Sequence, residues 1–241
     1  MSFILLLVLV PSVSADSVKP FKILTPEQLI SYYESTASLS TNSFQDSKSF
    51  INKYKSLPRE KQEKIVKYLN DPNFLKTLFT ATTSSLNNTE EQSFFNGDLI
   101  ISTQTIETTS EPSINSYGVS TLAIGDTEIF SKGIEATATL LGIDWYKLRL
   151  SFEVEIKVVA KDTSKISRIL RHSADVIQNW VPMAQINKNP DTPHITSDGY
   201  YAYFTCNWEF KEATTGIVIG TKHQWISVSK AKEADGGMYN L

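Results

Sequence analysis

The sequence predicts an α+β protein, in which an N-terminal helical region precedes a mainly antiparallel, sandwich-like β-sheet with one helix packed on it. Between Thr25 and about Thr82, apolar residues recur every three or four positions, as on one face of a helix. After residue 93, apolar and polar residues alternate, as in strands with one buried face. Residues 162–181 return to the helical spacing, which predicts the packed helix.

The segment from Met1 to Ala15 is interpreted as a secretory signal peptide. An apolar run from Phe3 to Val10 is followed by Pro11 and by small side chains that end at Ala15. This run is far shorter than the roughly 20 residues of a transmembrane helix, and its layout is typical of a cleaved export signal. We therefore expect a secreted, extracellular protein, cleaved near Ala15 and without a stable membrane anchor. No Lys or Arg precedes the run, and a buried N-terminal strand is the alternative.

Residues 16–92 are predicted to form a helical region and a linker. Thr25, Pro26 and Gln28 supply an N-cap, a first-turn proline and a capping-box partner for the first helix. Prolines and caps delimit three further helices, of which the second stops at Leu57-Pro58, the third covers 59–70, and the fourth begins after Asp71-Pro72. The Ser-, Thr- and Asn-rich stretch 81–92 is the predicted linker.

Residues 93–241 are predicted to form a β-rich domain. Its clearest strand is 145–159, where thirteen consecutive residues alternate between an apolar and a polar face. Strands at 200–210 and 217–228 are expected to form a hairpin, and weaker strand patterns lie at 99–106, 119–124 and 134–141. In the predicted helix, Asp162, Thr163 and Ser164 are capping residues, and the apolar positions that follow are Ile166, Ile169, Leu170, Val176, Ile177 and Trp180.

Composition and charge narrow the classes of partner and cofactor that this protein is expected to bind. With 23 Lys and Arg against 26 Asp and Glu, the net charge is −3 and no basic cluster exists, so no nucleic-acid partner is expected. Cys206 is the only cysteine, which excludes an internal disulfide, fits bacterial export, and is interpreted as a small buried hydrophobe. No spacing typical of a metal site, a phosphate loop or a nucleophile elbow occurs, so no cofactor or metal is predicted.

Two features are candidate ligand sites. Tyr201 and Tyr203 fall on the hairpin face opposite the apolar one, where tyrosines in a row could stack on sugar rings or insert into a protein partner. The proline-rich segment 187–199, predicted to be a loop, holds Asp191, His194 and Asp198, and loops carry function more often than cores do. These residues could hold a cation, but their spacing matches no known metal loop.

The leading hypothesis is a secreted, non-enzymatic binding protein whose partner is an extracellular protein or a carbohydrate. The alternative is a secreted hydrolase of the nuclease or glycosidase type, in which His223 or His194 acts with a nearby carboxylate: Glu209, Asp191 or Asp198. Two further readings remain open: a membrane-active toxin, disfavoured by the charged outer face of 147–157, and a helical region that serves as a pro-segment. The sequence leaves the oligomeric state open.

Overall fold

A computed structural model describes residues 22–37, 44–81, 90–108, 123–161, 163–182, 184–213 and 215–241. Within these ranges the chain forms four α-helices followed by two antiparallel sheets, which confirms the predicted α+β class with N-terminal helices and a mainly β remainder. The predicted signal peptide lies outside the described residues, as does most of the weak strand pattern at 119–124. No helix within the described ranges is long and apolar enough to cross a membrane.

The helices match their sequence signals closely. They are α1 (Pro26–Ala37), α2 (Phe44–Ser56), α3 (Arg59–Leu69) and α4 (Pro72–Thr80). At the start of α1 the Gln28 backbone N–H donates to Thr25 Oγ1 at 3.2 Å, and at the start of α4 the Asn73 N–H donates to Asp71 Oδ1 at 2.9 Å. Each bond satisfies a backbone donor that a helix N-terminus would otherwise leave free.

Sheet I is an antiparallel meander in chain order. Its strands are β1 (Glu90–Phe94), β2 (Leu99–Glu107), β3 (Thr127–Leu140), β4 (Ile143–Ala160) and β5 (Thr163–Asn179). The predicted alternation of β4 is confirmed, because Leu148, Leu150, Phe152, Val154 and Ile156 are all buried on one face. β1 begins at Glu90, within the predicted linker.

Sheet II has the order β10-β9-β8-β6, with β7 also paired to β8. Its strands are β6 (Ala184–Pro190), β7 (His194–Ile195), β8 (Tyr201–Glu212), β9 (Val218–Ser229) and β10 (Ala234–Asn240). The predicted hairpin is confirmed as β8–β9. Tyr200, the first residue of the strand predicted at 200–210, instead precedes β8 and is 41% exposed. The prediction of a loop at 187–199 is partly wrong, because parts of this segment belong to strands β6 and β7.

The helix predicted at 162–181 is wrong, because this segment is strand β5. Three β-bulges each insert an extra residue into β5, opposite Lys147/Leu148, Glu153/Val154 and Glu155/Ile156. Each bulge lets two residues oppose one and so turns a two-residue step into a three-residue step. The β5 residues that pair with the inward positions of β4 are therefore Ile166, Ile169, His172, Ala174 and Val176. A helical stripe is imitated by the three-residue step from Ile166 to Ile169 and by Leu170 and Ile177, which are the extra residues at two of the bulges.

The inner faces of the two sheets pack on each other, and the helices cover part of the same core. The rings of Phe152 in β4 and Phe204 in β8 are 6.0 Å apart. Phe79 of α4 lies 5.0 Å from Phe210 of β8, ring to ring. These contacts join the helices and both sheets through one contiguous set of buried side chains, and burial of this apolar surface is the main stabilising contribution.

Two polar residues of β9 point into this core. Lys222 is fully buried, and its Nζ donates to the Ala81 carbonyl at 2.5 Å and to the Tyr146 hydroxyl at 2.7 Å. Because burial penalises the ammonium form, the pKa of Lys222 falls from 10.5 to about 7. Gln224 accepts a hydrogen bond from Trp208 Nε1 at 2.9 Å. Lys222 thus ties the end of α4 to sheet II.

Candidate ligand-binding site

The outer faces of the two sheets differ in chemistry. On sheet I, charges alternate in sign across the strands and pair with each other, as in Arg149–Glu135 at 2.6 Å and Arg168–Glu155 at 2.8 Å. Arg168, which lies in the segment predicted to be a helix, here pairs with a carboxylate of the neighbouring strand β4. Sheet I therefore presents a charged face with internal ion pairs, whereas the outer face of sheet II carries aromatic rings.

A trough of about 730 Å³ runs over the outer face of sheet II. Strand β8 supplies two tyrosines, β9 a tryptophan and two serines, and β10 with the turn before it two carboxylates. The lining residues are Tyr201, Tyr203, Trp225, Ser227, Ser229, Glu233, Ala234 and Asp235.

The strand register places these residues in rows across the sheet. Tyr203 pairs with Ser227, and Ser227 pairs with Asp235 on the next strand. The small serine therefore forms a floor, with an aromatic ring on one side and a carboxylate on the other. Two inter-strand spacings separate the walls, which gives a width of roughly 10 Å. Beside Trp225, the paired residue on β10 is Gly237, whose missing side chain leaves that flank of the indole open.

The aromatic wall is ordered by ring contacts. Tyr201 is 46% exposed, and its ring centroid lies 6.3 Å from that of Tyr203. On its other side Tyr203 stacks against the His194 imidazole, at 5.5 Å and 22° between planes. His194 therefore supports a tyrosine of the trough.

The two predicted aspartates hold backbone and side-chain donors. The Asp191 carboxylate accepts a hydrogen bond from the Thr205 hydroxyl, and Thr205 pairs with Trp225 across the strands. Asp198 accepts from the Thr196 hydroxyl at 2.5 Å and from the Tyr200 backbone N–H at 2.9 Å, bonds that lower its pKa. Asp191 therefore flanks the trough, whereas Asp198 stabilises the turn before β8 and does not line it.

Among the residues that the structure describes, His223 does not form the histidine–carboxylate pair that the hydrolase alternative requires. Its Nδ1 lies 2.7 Å from Oδ1 of Asn207, and its ring packs on Tyr239 at 4.8 Å. Glu209 instead forms an ion pair with Lys211 at 2.8 Å. Burial lowers the pKa of His223, an effect that the charge of Asp191 opposes. Over the described ranges no three His, Cys, Asp or Glu side chains are grouped so as to hold a metal ion.

Sequence reasoning missed six residues of the trough: Trp225, Ser227, Ser229, Glu233, Ala234 and Asp235. A signal existed for Trp225 and Ser227, because they alternate with the apolar Ile226 and must share the outer face with Tyr203. No comparable signal marked Glu233 and Asp235, since the strand that positions them was not predicted.

Comparison with models of known protein families, with curated proteins and with solved structures finds no match to this chain. The ligand must therefore be inferred from the residues of the trough. The buried Cys206 offers no alternative site, since burial raises the pKa of its thiol to about 11 and keeps it in the unreactive form.

Proposed function

We propose that this chain is an exported, non-enzymatic binding protein that holds a carbohydrate in the trough of sheet II. The observation that carries the proposal is the arrangement of solvent-accessible aromatic rings beside carboxylates and a serine floor in one groove. Concave sites with aromatic walls and a few convergent polar groups are the usual form of small-ligand sites.

Each part of the trough matches one part of a sugar. The C–H face of a pyranose ring is apolar and packs on the π face of Tyr203 or Trp225, whose edge and face charges suit polarised C–H groups. Sugar hydroxyls donate to the carboxylates, and bonds to charged acceptors are about twice as strong as neutral ones. Ser227 can both donate and accept at the floor.

The support beneath the trough favours a preformed site. Its side chains alternate along β8 and β9 with fully or almost fully buried ones, such as Phe204 and Ile226. A strand fixed by its buried face keeps its outer residues in place. Less entropy is then lost when a ligand binds than would be lost in a mobile loop.

Titration calorimetry of the full chain with a panel of oligosaccharides tests the proposal. Trp225→Ala and Tyr203→Ala should each weaken binding of an oligosaccharide hit by about tenfold or more, as removal of a central aromatic contact does. The matched control is Tyr239→Ala, because Tyr239 is 45% exposed on the same face but packs on His223 outside the trough. Circular dichroism checks that each variant is folded.

Two outcomes would contradict the proposal. One is that the folded chain binds no oligosaccharide. The other is that Tyr239→Ala weakens binding as much as Trp225→Ala, which would place the contact outside the trough. Chromatography after incubation with the same oligosaccharides tests the hydrolase alternative, since cleavage products would show an enzyme. Mass spectrometry of the protein from culture supernatant tests export and cleavage near Ala15.

A further inference from the structure

We infer that the trough recognises a glycan with free amino groups, an amino-sugar polymer in its ammonium form, an inference that rests on the proposed function. The charge of the lining leads to this ligand class. Glu233 and Asp235 are its two titratable acids, and the lining contains no Lys, Arg or His. A cationic ligand that also presents a flat apolar ring face would use both walls.

The two carboxylates are not neutralised from within the described part of the chain. Neither Glu233 nor Asp235 forms an ion pair there, whereas lysines and arginines of sheet I pair with carboxylates of the same sheet. The Gly236 backbone N–H donates to Asp235 Oδ1 at 2.8 Å, a bond that brings no compensating positive charge.

The lysines nearest in sequence to Glu233 are engaged elsewhere. Lys232 Nζ forms an ion pair with Glu128 of β3 at 2.6 Å. Lys230 Nζ lies 3.7 Å from the centroid of the Tyr200 ring. Both cations of this turn have other partners, so the acidic wall of the trough keeps its charge.

The aromatic wall and the acidic wall lie on opposite sides of the trough, and this arrangement favours a ligand with both a ring face and an amino group. A ring that stacks on Tyr203 spans the serine floor toward Asp235, which places an amino substituent on the ring edge against the acidic wall. An acidic sugar would put like charges together, which is destabilising. N-acetylation removes the ammonium charge while keeping the ring, and therefore isolates the contribution of the carboxylates.

Four ligands measured on the full chain at pH 6, where the amino groups of glucosamine are largely protonated, and at low and high salt test the inference: a glucosamine hexamer, an N-acetylglucosamine hexamer, a glucose hexamer with the same linkage, and oligolysine. At low salt the glucosamine hexamer should bind about tenfold more tightly than its N-acetylated form, the effect of two partly exposed ion pairs. High salt should remove most of this preference, because exposed ion pairs are screened.

Variants assign the preference to the residues. The charge-neutral pair Glu233→Gln and Asp235→Asn, made together, should abolish the preference but retain weak binding of all three hexamers, whereas Trp225→Ala should weaken all three. Glu209→Gln, which removes a carboxylate outside the trough, is the matched control and should leave the preference unchanged.

The outcomes separate the two proposals. If the three hexamers bind equally, the inference is wrong and the proposed function stands. Binding of oligolysine as tight as that of the glucosamine hexamer would show that charge alone suffices, which also overturns the inference. If no hexamer binds to the folded chain, the proposed function itself fails.

Discussion

Replacement of Lys222 by methionine should remove a pH dependence of folding that the wild-type protein shows above pH 7. The ammonium form is disfavoured in the core, so the native state releases this proton near pH 7, whereas the unfolded chain holds it until about 10.5. Between these values the unfolded state binds one more proton. The free energy of unfolding therefore rises with pH across this window, and it falls as pH drops toward 7.

The magnitude follows from the two pKa values. With a native pKa of about 7 and an unfolded value of 10.5, proton linkage raises the free energy of unfolding by about 2 kcal/mol between pH 7 and pH 9. For a chain of this length, that gain corresponds to a rise in Tm of roughly 4–8 °C. Above pH 9 the sign is opposed by Cys206, because its raised pKa lets the unfolded thiol ionise first.

Thermal and urea unfolding at pH 7, 8 and 9 measure this slope. Methionine has a similar length and no charge, so Lys222→Met should give a nearly flat profile. Its loss of hydrogen bonds to Ala81 and Tyr146 changes the stability at every pH and leaves the slope as the readout. Lys161→Met, at an exposed turn, is the control and should keep the wild-type slope. Parallel profiles for wild type and Lys222→Met would refute the reasoning.

Four further predictions concern other parts of the fold. Gly236→Ala should lower stability by about 1–3 kcal/mol in urea unfolding, because its new Cβ would lie 2.6 Å from the backbone oxygen of Trp225 and 2.6 Å from Cδ1 of Ile134. Asp71→Ala should cost about 1 kcal/mol in the same assay through loss of the α4 N-cap. Asp191→Asn should lower the pKa of His223 further in an NMR titration, because the Asp191 charge raises it. Since the native pKa of His223 lies below 6.5, stability present above that pH should fall as pH drops through the native value.

Each of these comparisons has a matched control. Gly216→Ala introduces a methyl group into open space at φ +69°, so roughly 1 kcal/mol of backbone strain is expected without a clash. A loss as large as that of Gly236→Ala would contradict the steric explanation. Asp71→Asn should keep the cap, since Asn caps as well as Asp. Asp198→Asn should leave the titration of His223 unchanged, and an equal shift would remove the assignment to Asp191.

The regular parts of the fold could be predicted because local signals and tertiary structure agree there. The caps at Thr25 and Asp71 mark helix starts, and in β4 an uninterrupted alternation around Leu150 identifies one dry face. The apolar pattern in β5 led to the wrong prediction of a helix, because β-bulges shift the pairing register of β5 against β4. A bulge depends on how the neighbouring strand pairs, and a single strand's sequence does not contain that information.

The trough could be predicted only in part, for a related reason. Tyr201 and Tyr203 lie on a strand with strong alternation, so their outward direction followed from the sequence. Asp235 lies on β10, whose Gly236-Gly237 pair has low strand propensity. The glycines are explained by packing, since Gly236 passes against Ile134 of the other sheet and Gly237 lies beside Trp225. Such close approaches depend on how distant parts of the chain pack together, and the sequence of one strand does not show them.

Strand β9 links the core to the proposed site. Its inner residues include Lys222 and its outer residues include Trp225, and a slip of one residue against β8 would exchange the two faces. A slip would place the Trp225 indole in the core and the Lys222 ammonium in the trough. The proposed glycan site and the predicted pH dependence of stability therefore depend on the same strand register. Loss of glycan binding in Lys222→Met would therefore indicate a shifted strand, whereas retained binding with a flat pH profile would show that the buried amine acts on stability alone.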